Sequence, residues 1–163
     1  MTDTKSNSAS IGIRLATQAD YDGCLAVLMS HHSRTMFAEY AFSESQFRKQ
    51  FDKALTMGPQ SIVLVAERHD TVVGCAWATL GRYALSDELK MTTVQLIAVN
   101  SNLLTSMARA KAFSRLLNGV KKWSDAQGAD KVLVHVTTGT SLNSAHKLLR
   151  ASGLTNIGGA YAL

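Results

Sequence analysis

The stretch SIVLVAERHDTVVGCAWATL (61–80) holds two β-branched runs, SIVLVAE (61–67) and VVGCAWATL (72–80), separated by the short polar turn RHDT. Valine, isoleucine and tryptophan fit the pleated surface of a sheet, and so short a connection pairs the runs as an antiparallel hairpin. The polar loop GRYALSDELK then leads into MTTVQLIAVN (91–100), a further strand of the same run.

Upstream, IGIRLA (11–16) alternates apolar and polar residues and is predicted to be the first strand. Thr17 and Asp20 form a capping-box start for a helix whose Tyr21, Cys24, Leu25 and Leu28 recur on one face. HHSRTMFAEYAF (31–42) has no period and is expected to be a loop carrying aromatics. Ser43 and Gln46 form a second capping box before the stripe Phe47, Phe51, Ala54 and Leu55, which Gly58 ends. Downstream, a long helix is predicted from about Asn102 to Gln127, stopped by Gly128, with Leu116, Val120 and Trp123 on one face. KVLVHV (131–136) is a strand, apolar apart from His135. Ser141 opens a last helix running to Ser152 and Gly153, and LTNIGGAYAL (154–163) is expected to close the chain as a strand. The order β-α-α-β-β-β-α-β-α-β describes an α/β (α+β) fold, a mixed and mostly antiparallel sheet with helices on both faces.

With 163 residues, 46% of them hydrophobic, the chain suits one globular domain over 11–163 behind a flexible tail, MTDTKSNSAS (1–10). No apolar run approaches the roughly 18 residues of a membrane span, and the N-terminus lacks the apolar core of a signal peptide. No membrane partner is expected, and a cytoplasmic location is. Cys24 and Cys75 fit no metal or disulfide spacing and are expected to be buried free thiols. No metal site is expected, since His31 and His32 lack a third ligand at metal spacing. The net charge of +5 is uneven: residues 1–100 carry −1 and residues 101–163 carry +6. A basic half suits an anionic, nucleotide-bearing ligand or a nucleic acid backbone, or is simply a set of solvated helix faces. No nucleic-acid recognition motif accompanies the charge, so nucleic acid is not expected as a partner.

Four strings carry a resemblance: ERHDTVVGCAWA, the Ile97-Ala98-Val99 strand end, LLNGVKKWSDAQGADKVLVHV, and AHKLLRASGLTNIGG. In this order and spacing they resemble the GNAT (N-acetyltransferase) superfamily over about residues 11–163. The LSDE loop before the fourth strand and the TG after the fifth resemble GNAT-like proteins encoded by bacteriophages. The resemblance implies the GNAT acyl-CoA N-acyltransferase fold, with acyl-CoA lying where the fourth and fifth strands splay. It also implies a glycine-rich loop at the N-terminus of the third helix holding the pyrophosphate, and acetyl transfer from acetyl-CoA to an amine acceptor. A phage-encoded member would act in the host cytoplasm or sit in the phage particle.

The chain departs from that pattern at the loop, because no glycine lies between Gly81 and Gly119. Counting back from Trp123 puts residues 108–113 on the loop, whereas counting forward from Val99 puts 104–109 there. A one-residue shift gives Arg109-x-x-Ala112-x-Ser114, whereas the count back from Trp123 puts Phe113, a bulky ring, at the second glycine position. The cofactor contacts so implied are Ile97, Val99, Thr105, Ser106, Arg109, Lys111, Ala112 and Asn143. Arg109, Lys111 and Arg115 either hold phosphates by charge or are ordinary solvated residues of a long helix.

Acyl transfer needs a group to take the ammonium proton and one to protonate the leaving thiolate. The family's fourth-strand carboxylate falls near Gln95 and its tyrosine on Leu149, and neither side chain exchanges a proton. The replacement candidates are Glu39 and Tyr40 in the loop that shapes the acceptor pocket, His135 in the fifth strand, and Asp87 and Glu88 entering the fourth. Two readings stay open. One is an acetyltransferase with an atypical cofactor grip. The other is a catalytically inactive GNAT-fold binding or structural protein, a phage virion or host-interaction component working in a homo-oligomer or larger assembly.

Overall fold

A computed structural model describes residues 10–136 and 142–158, with the 61–80 hairpin at the centre of a five-stranded sheet. The strands are β1 (Gly12–Leu15), β2 (Ser61–Arg68), β3 (Thr71–Arg82), β4 (Lys90–Val99) and β5 (Lys131–Val134), adjacent in that order. β1 to β4 are antiparallel, and β5 joins β4 in parallel. The helices are α1 (Tyr21–His32), α2 (Glu44–Thr56), α3 (Ser106–Ala126) and α4 (Leu142–Ala151). None of the described helices is long and apolar enough to cross a membrane.

Alternation along β2 decides which helix covers which face. Ile62, Leu64 and Ala66 pack with Leu116 and Val120 of α3, while Val63 and Val65 pack with Cys24, Val27 and Phe51 of α1 and α2. Val27, Val65, Leu116 and Val120 are wholly buried, and each such side chain contributes about 1.5–3 kcal/mol by leaving water. The Thr17 capping box forms, with Thr17 N–H donating to the Asp20 carboxylate (2.8 Å), and Ser43 caps α2 by accepting from Gln46 N–H at its Oγ (3.3 Å). Asp20 is further gripped by both Arg14 Nη atoms at 2.8 Å, tying β1 to the start of α1. The RHDT turn tightens to His69 and Asp70, both at positive φ (51° and 57°). Two left-handed residues match the twist of the flanking strands, and His and Asp are among the types that tolerate that region.

Three expectations change. The third helix begins at Ser106 rather than Asn102, because Asn102 N–H is taken by the Asn100 side chain (2.9 Å) and Thr105 supplies the cap. β5 stops at Val134, two residues early, leaving His135 outside the ladder. Residues 154–158 form no strand: Asn156 Oδ1 accepts from Gly158 N–H (3.1 Å), a local turn that competes with sheet pairing. The rest of that expected strand (159–163), the tail through Ala9, and Ser141 lie outside the described residues.

Candidate active site

β4 and β5 pair only from Met91↔Lys131 to Val94↔Val134. On that closed side β4 is pinned to α3 by a buried hydroxyl pair, Thr92 Oγ1 to Ser124 Oγ at 2.7 Å. Beyond Val94 the β5-facing edge of β4 has no strand partner among the described residues. The change coincides with a bulge. Trp77 pairs with Leu96 and Ala78 with Val94, so Gln95 is the extra residue on β4. A bulge bends its strand and re-aims side chains, and here it sits where the two strands part.

At the end of β4 the chain turns into α3. Thr105 Oγ1 accepts from Ala108 N–H (3.4 Å), and Arg109 N–H closes the first helical bond on Thr105 O. That leaves the N–H groups of Ser106 and Met107 without a partner among the described residues, at the positive end of a 21-residue helix. Both residues are exposed, Met107 by 84%, so their side chains leave the mouth open. Arg109 lies one turn in and donates to Ser106 Oγ (2.8 Å), placing a cation beside these donors.

On the other face, α1, α2 and β2 to β4 enclose a cavity of about 390 Å³ that reaches Gln95 and Leu96 of β4. Phe42, Phe47, Phe51 and Trp77 form much of its wall. Cys24 and Cys75, both buried free thiols as expected, also line it. A hydrogen bond with Cys24, together with burial, holds the Cys75 pKa well above its ordinary value, so the Cys75 thiol keeps its proton. His32, in the last turn of α1, is the cavity's imidazole. Its Nε2 lies 2.8 Å from the Tyr40 carbonyl. A carbonyl only accepts, so Nε2 carries the proton and Nδ1 of the neutral ring keeps its lone pair. His31 beside it is pushed below its usual pKa by burial, with Arg34 and His32 adding to the effect.

The expected site residues scatter. Thr105, Ser106 and Arg109 gather at the mouth of α3, within the 104–109 stretch reached by the forward count. Ile97 and Val99 are half-buried and pack towards the α3 side of the core, just upstream of that mouth. Ala112 is fully buried against the sheet, so it is a core residue and not part of the mouth. Lys111 is exposed, and Arg115 donates to the Ile11 carbonyl, away from the mouth. Phe113 stands seven residues past Ser106, roughly 10 Å along the helix, and belongs to neither core cluster. Asn143 is exposed in the first turn of α4. Glu39, Tyr40 and His135 are exposed, and none of them lines the cavity; Asp87 and Glu88 are exposed in the loop before β4. Tyr40 contributes through its backbone by orienting His32. Sequence reasoning missed His32, Phe47, Trp77 and the bulge at Gln95. Their one advance signal was the aromatic series Phe42, Phe47 and Phe51 following a helix-end histidine.

No protein-family model and no curated protein matches the sequence. Solved structures do. Glucosamine-6-phosphate N-acetyltransferase from Arabidopsis thaliana is similar at 13% identity, over 94% of this chain and 97% of that one, with a TM-score of 0.67. An aminoglycoside acetyltransferase, meta-AAC0020, from an uncultured soil metagenomic sample matches at 15% identity over 97% and 98%, with a TM-score of 0.68. AAC(6')-Iy, solved with the bisubstrate analogue CoA-S-monomethyl-acetylneamine, matches at 12% identity over 95% and 97%, with a TM-score of 0.71. The chain has the GNAT acyltransferase fold, carried at identities where three-dimensional arrangement persists and sequence likeness does not.

Proposed function

We propose that the protein transfers an acetyl group from acetyl-CoA to an amine held in the 390 Å³ cavity. The observation that carries this reading is the parting of β4 from β5 at the Gln95 bulge, on the rim of that cavity. Beyond Val94 the edge of β4, without a strand partner among the described residues, offers backbone donors and acceptors to an extended pantetheine-like arm. The N–H groups of Ser106 and Met107, with Arg109, offer an anion site at the strand's end. This grip replaces glycine flexibility with exposed side chains and one cation, and the residues present fit a pyrophosphate. Lys111 and Asn143 are the remaining solvent-facing groups available to the rest of the nucleotide.

When bound, the thioester supplies the acetyl group; binding, orientation and proton movement fall to the chain. His32 Nδ1 takes a proton from the acceptor's ammonium, which frees the nitrogen lone pair to attack the thioester carbonyl carbon. As the carbon–sulfur bond breaks, the second proton of the attacking nitrogen would go to the departing sulfur, giving a thiol, and the proton held on His32 would pass to solvent, leaving a neutral amide. Gln95 at the bulge takes no part in proton transfer, since an amide does not titrate. Acetyl-CoA supply places the reaction in a cytoplasm, a phage host's included, in line with the phage-like LSDE loop.

The competing reading, a GNAT-fold binding or structural protein without catalysis, rests on Gln95 and Leu149 standing where the family's titrating groups stand. Thiol release from acetyl-CoA in the presence of an amine panel, with product masses, separates the two. Amine-dependent release with a mass gain of one acetyl group supports the enzyme. Release no faster than buffer across the panel supports the binding protein.

A further inference from the structure

The chemistry of the cavity wall restricts what it accepts. Among the described residues that line it there is no aspartate, glutamate, lysine or arginine. Phe47 sits with its ring centroid 6.3 Å from Phe42 and 5.6 Å from Phe51, so three rings form one continuous apolar surface. Two polar groups of the lining already have partners. The Trp77 indole N–H donates to Ser61 Oγ (3.0 Å), and the Gln95 amide donates to Thr79 Oγ1 (2.8 Å). Gln46 and Gln50, one turn apart on α2, line the cavity while remaining exposed, which sets them at its rim.

A polycation placed here would bury ammonium groups with no carboxylate to meet them, and a sugar phosphate would bury an anion with no cation. Both are strongly unfavourable. An aromatic ring gains by burial and by edge or face contacts with the phenylalanines and Trp77. The volume lies near the lower end for ligand pockets, which suits a molecule of one or two rings. One basic nitrogen is accommodated, because His32 is the single imidazole among the described residues lining the cavity.

We propose that the cavity binds a monoamine borne on an aromatic body, an arylalkylamine, and discriminates against polycationic and phosphorylated amines. Binding of this class does not depend on catalysis; acetylation of the bound amine rests on the acyl-transfer reading above. The test is calorimetric titration of the full chain, without acetyl-CoA and at about 0.15 M salt, with tryptamine, kanamycin and glucosamine 6-phosphate. Tryptamine is expected to bind at least tenfold more tightly than either competitor. Phe47→Asp is expected to weaken tryptamine at least tenfold. The exposed rim variant Gln50→Glu, which leaves the core intact, is expected to shift preference towards kanamycin severalfold. Equal or tighter binding of kanamycin or the sugar phosphate, no binding of tryptamine, or tryptamine affinity and preference unmoved in both variants would overturn the inference. Tryptamine that binds but is not acetylated on adding acetyl-CoA leaves the inference standing and defeats the acyl-transfer reading. Acetylation of kanamycin in preference to tryptamine does the reverse.

Discussion

His32 sits in the last turn of α1 with Nε2 on the Tyr40 carbonyl, while His31, its neighbour in sequence, lies outside the cavity lining. One helical step of about 100° separates the two, and only the packing of α2 and the 41–43 segment selects between them. A sequence shows the pair and not the selection, which is why an exposed carboxylate and phenol, Glu39 and Tyr40, stood out instead. Replacing His32 with Gln keeps a donor for the Tyr40 carbonyl but removes the basic nitrogen. His32→Gln is expected to lower kcat about 100-fold with little change in Tm, read by thiol release and thermal melting. Asp20 tests a structural role at the same scale. The bidentate bond from Arg14 holds its carboxyl at about 2, below the ordinary 3.8. Its contribution is therefore present above the ordinary value and lost as pH falls from there towards 2. Asp20→Asn is expected to cost about 1–2 kcal/mol near neutral pH, the lower range for a charged hydrogen bond because Arg14 is partly exposed. Urea melts should show the gap to the parent narrowing as pH drops through that window. A gap constant with pH would contradict the assignment.

At the scale of elements, hydrophobic alternation and the helix caps were legible, because each is a local pattern with a local cause. The 61–80 hairpin, the stripe of α2 and the Ser43 cap all form where periodicity puts them. The Gln95 bulge was not legible, since it depends on the register of β3 against β4, a pairing between distant segments. The closing strand failed at residues 154–158 because the Asn156 turn outcompetes a ladder there. Gly23 shows tertiary packing overriding propensity. Alanine would favour an isolated helix by about 1 kcal/mol, yet its Cβ would stand 2.8 Å from Val72 Cβ, an atom fixed to the β3 backbone. Overpacking of this kind costs about 1–3 kcal/mol, so Gly23→Ala is expected to lower Tm by about 2–6 °C and to weaken cavity ligands. A raised Tm would show that α1 can lift without loss. For α3, Ser106→Glu separates stability from function. A carboxylate in the first turn stabilises the helix by about 0.3–1 kcal/mol and repels a bound pyrophosphate. Melting should hold or rise while affinity for CoA falls at least tenfold.

Over the whole molecule, the fold places the N-terminal mouth of α3 at one end of β4 and, beside its middle, a cavity whose described lining holds no Asp, Glu, Lys or Arg. Of the basic residues behind the +6 of residues 101–163, Arg109 stands at the first of these, while Arg115 bonds to the Ile11 carbonyl away from it. Charge asymmetry was legible in the sequence, while a cavity whose described lining holds no Asp, Glu, Lys or Arg emerged only when α1, α2 and the sheet came together. Affinity for CoA is expected to fall severalfold between about 0.05 and 0.5 M salt as screening shortens, whereas tryptamine binding should barely move. The most direct test of the central claim is isothermal titration with acetyl-CoA and CoA on the parent chain. Saturable binding of both, weakened at least tenfold by Ser106→Glu, is the predicted result. No heat of binding at millimolar ligand would contradict the account.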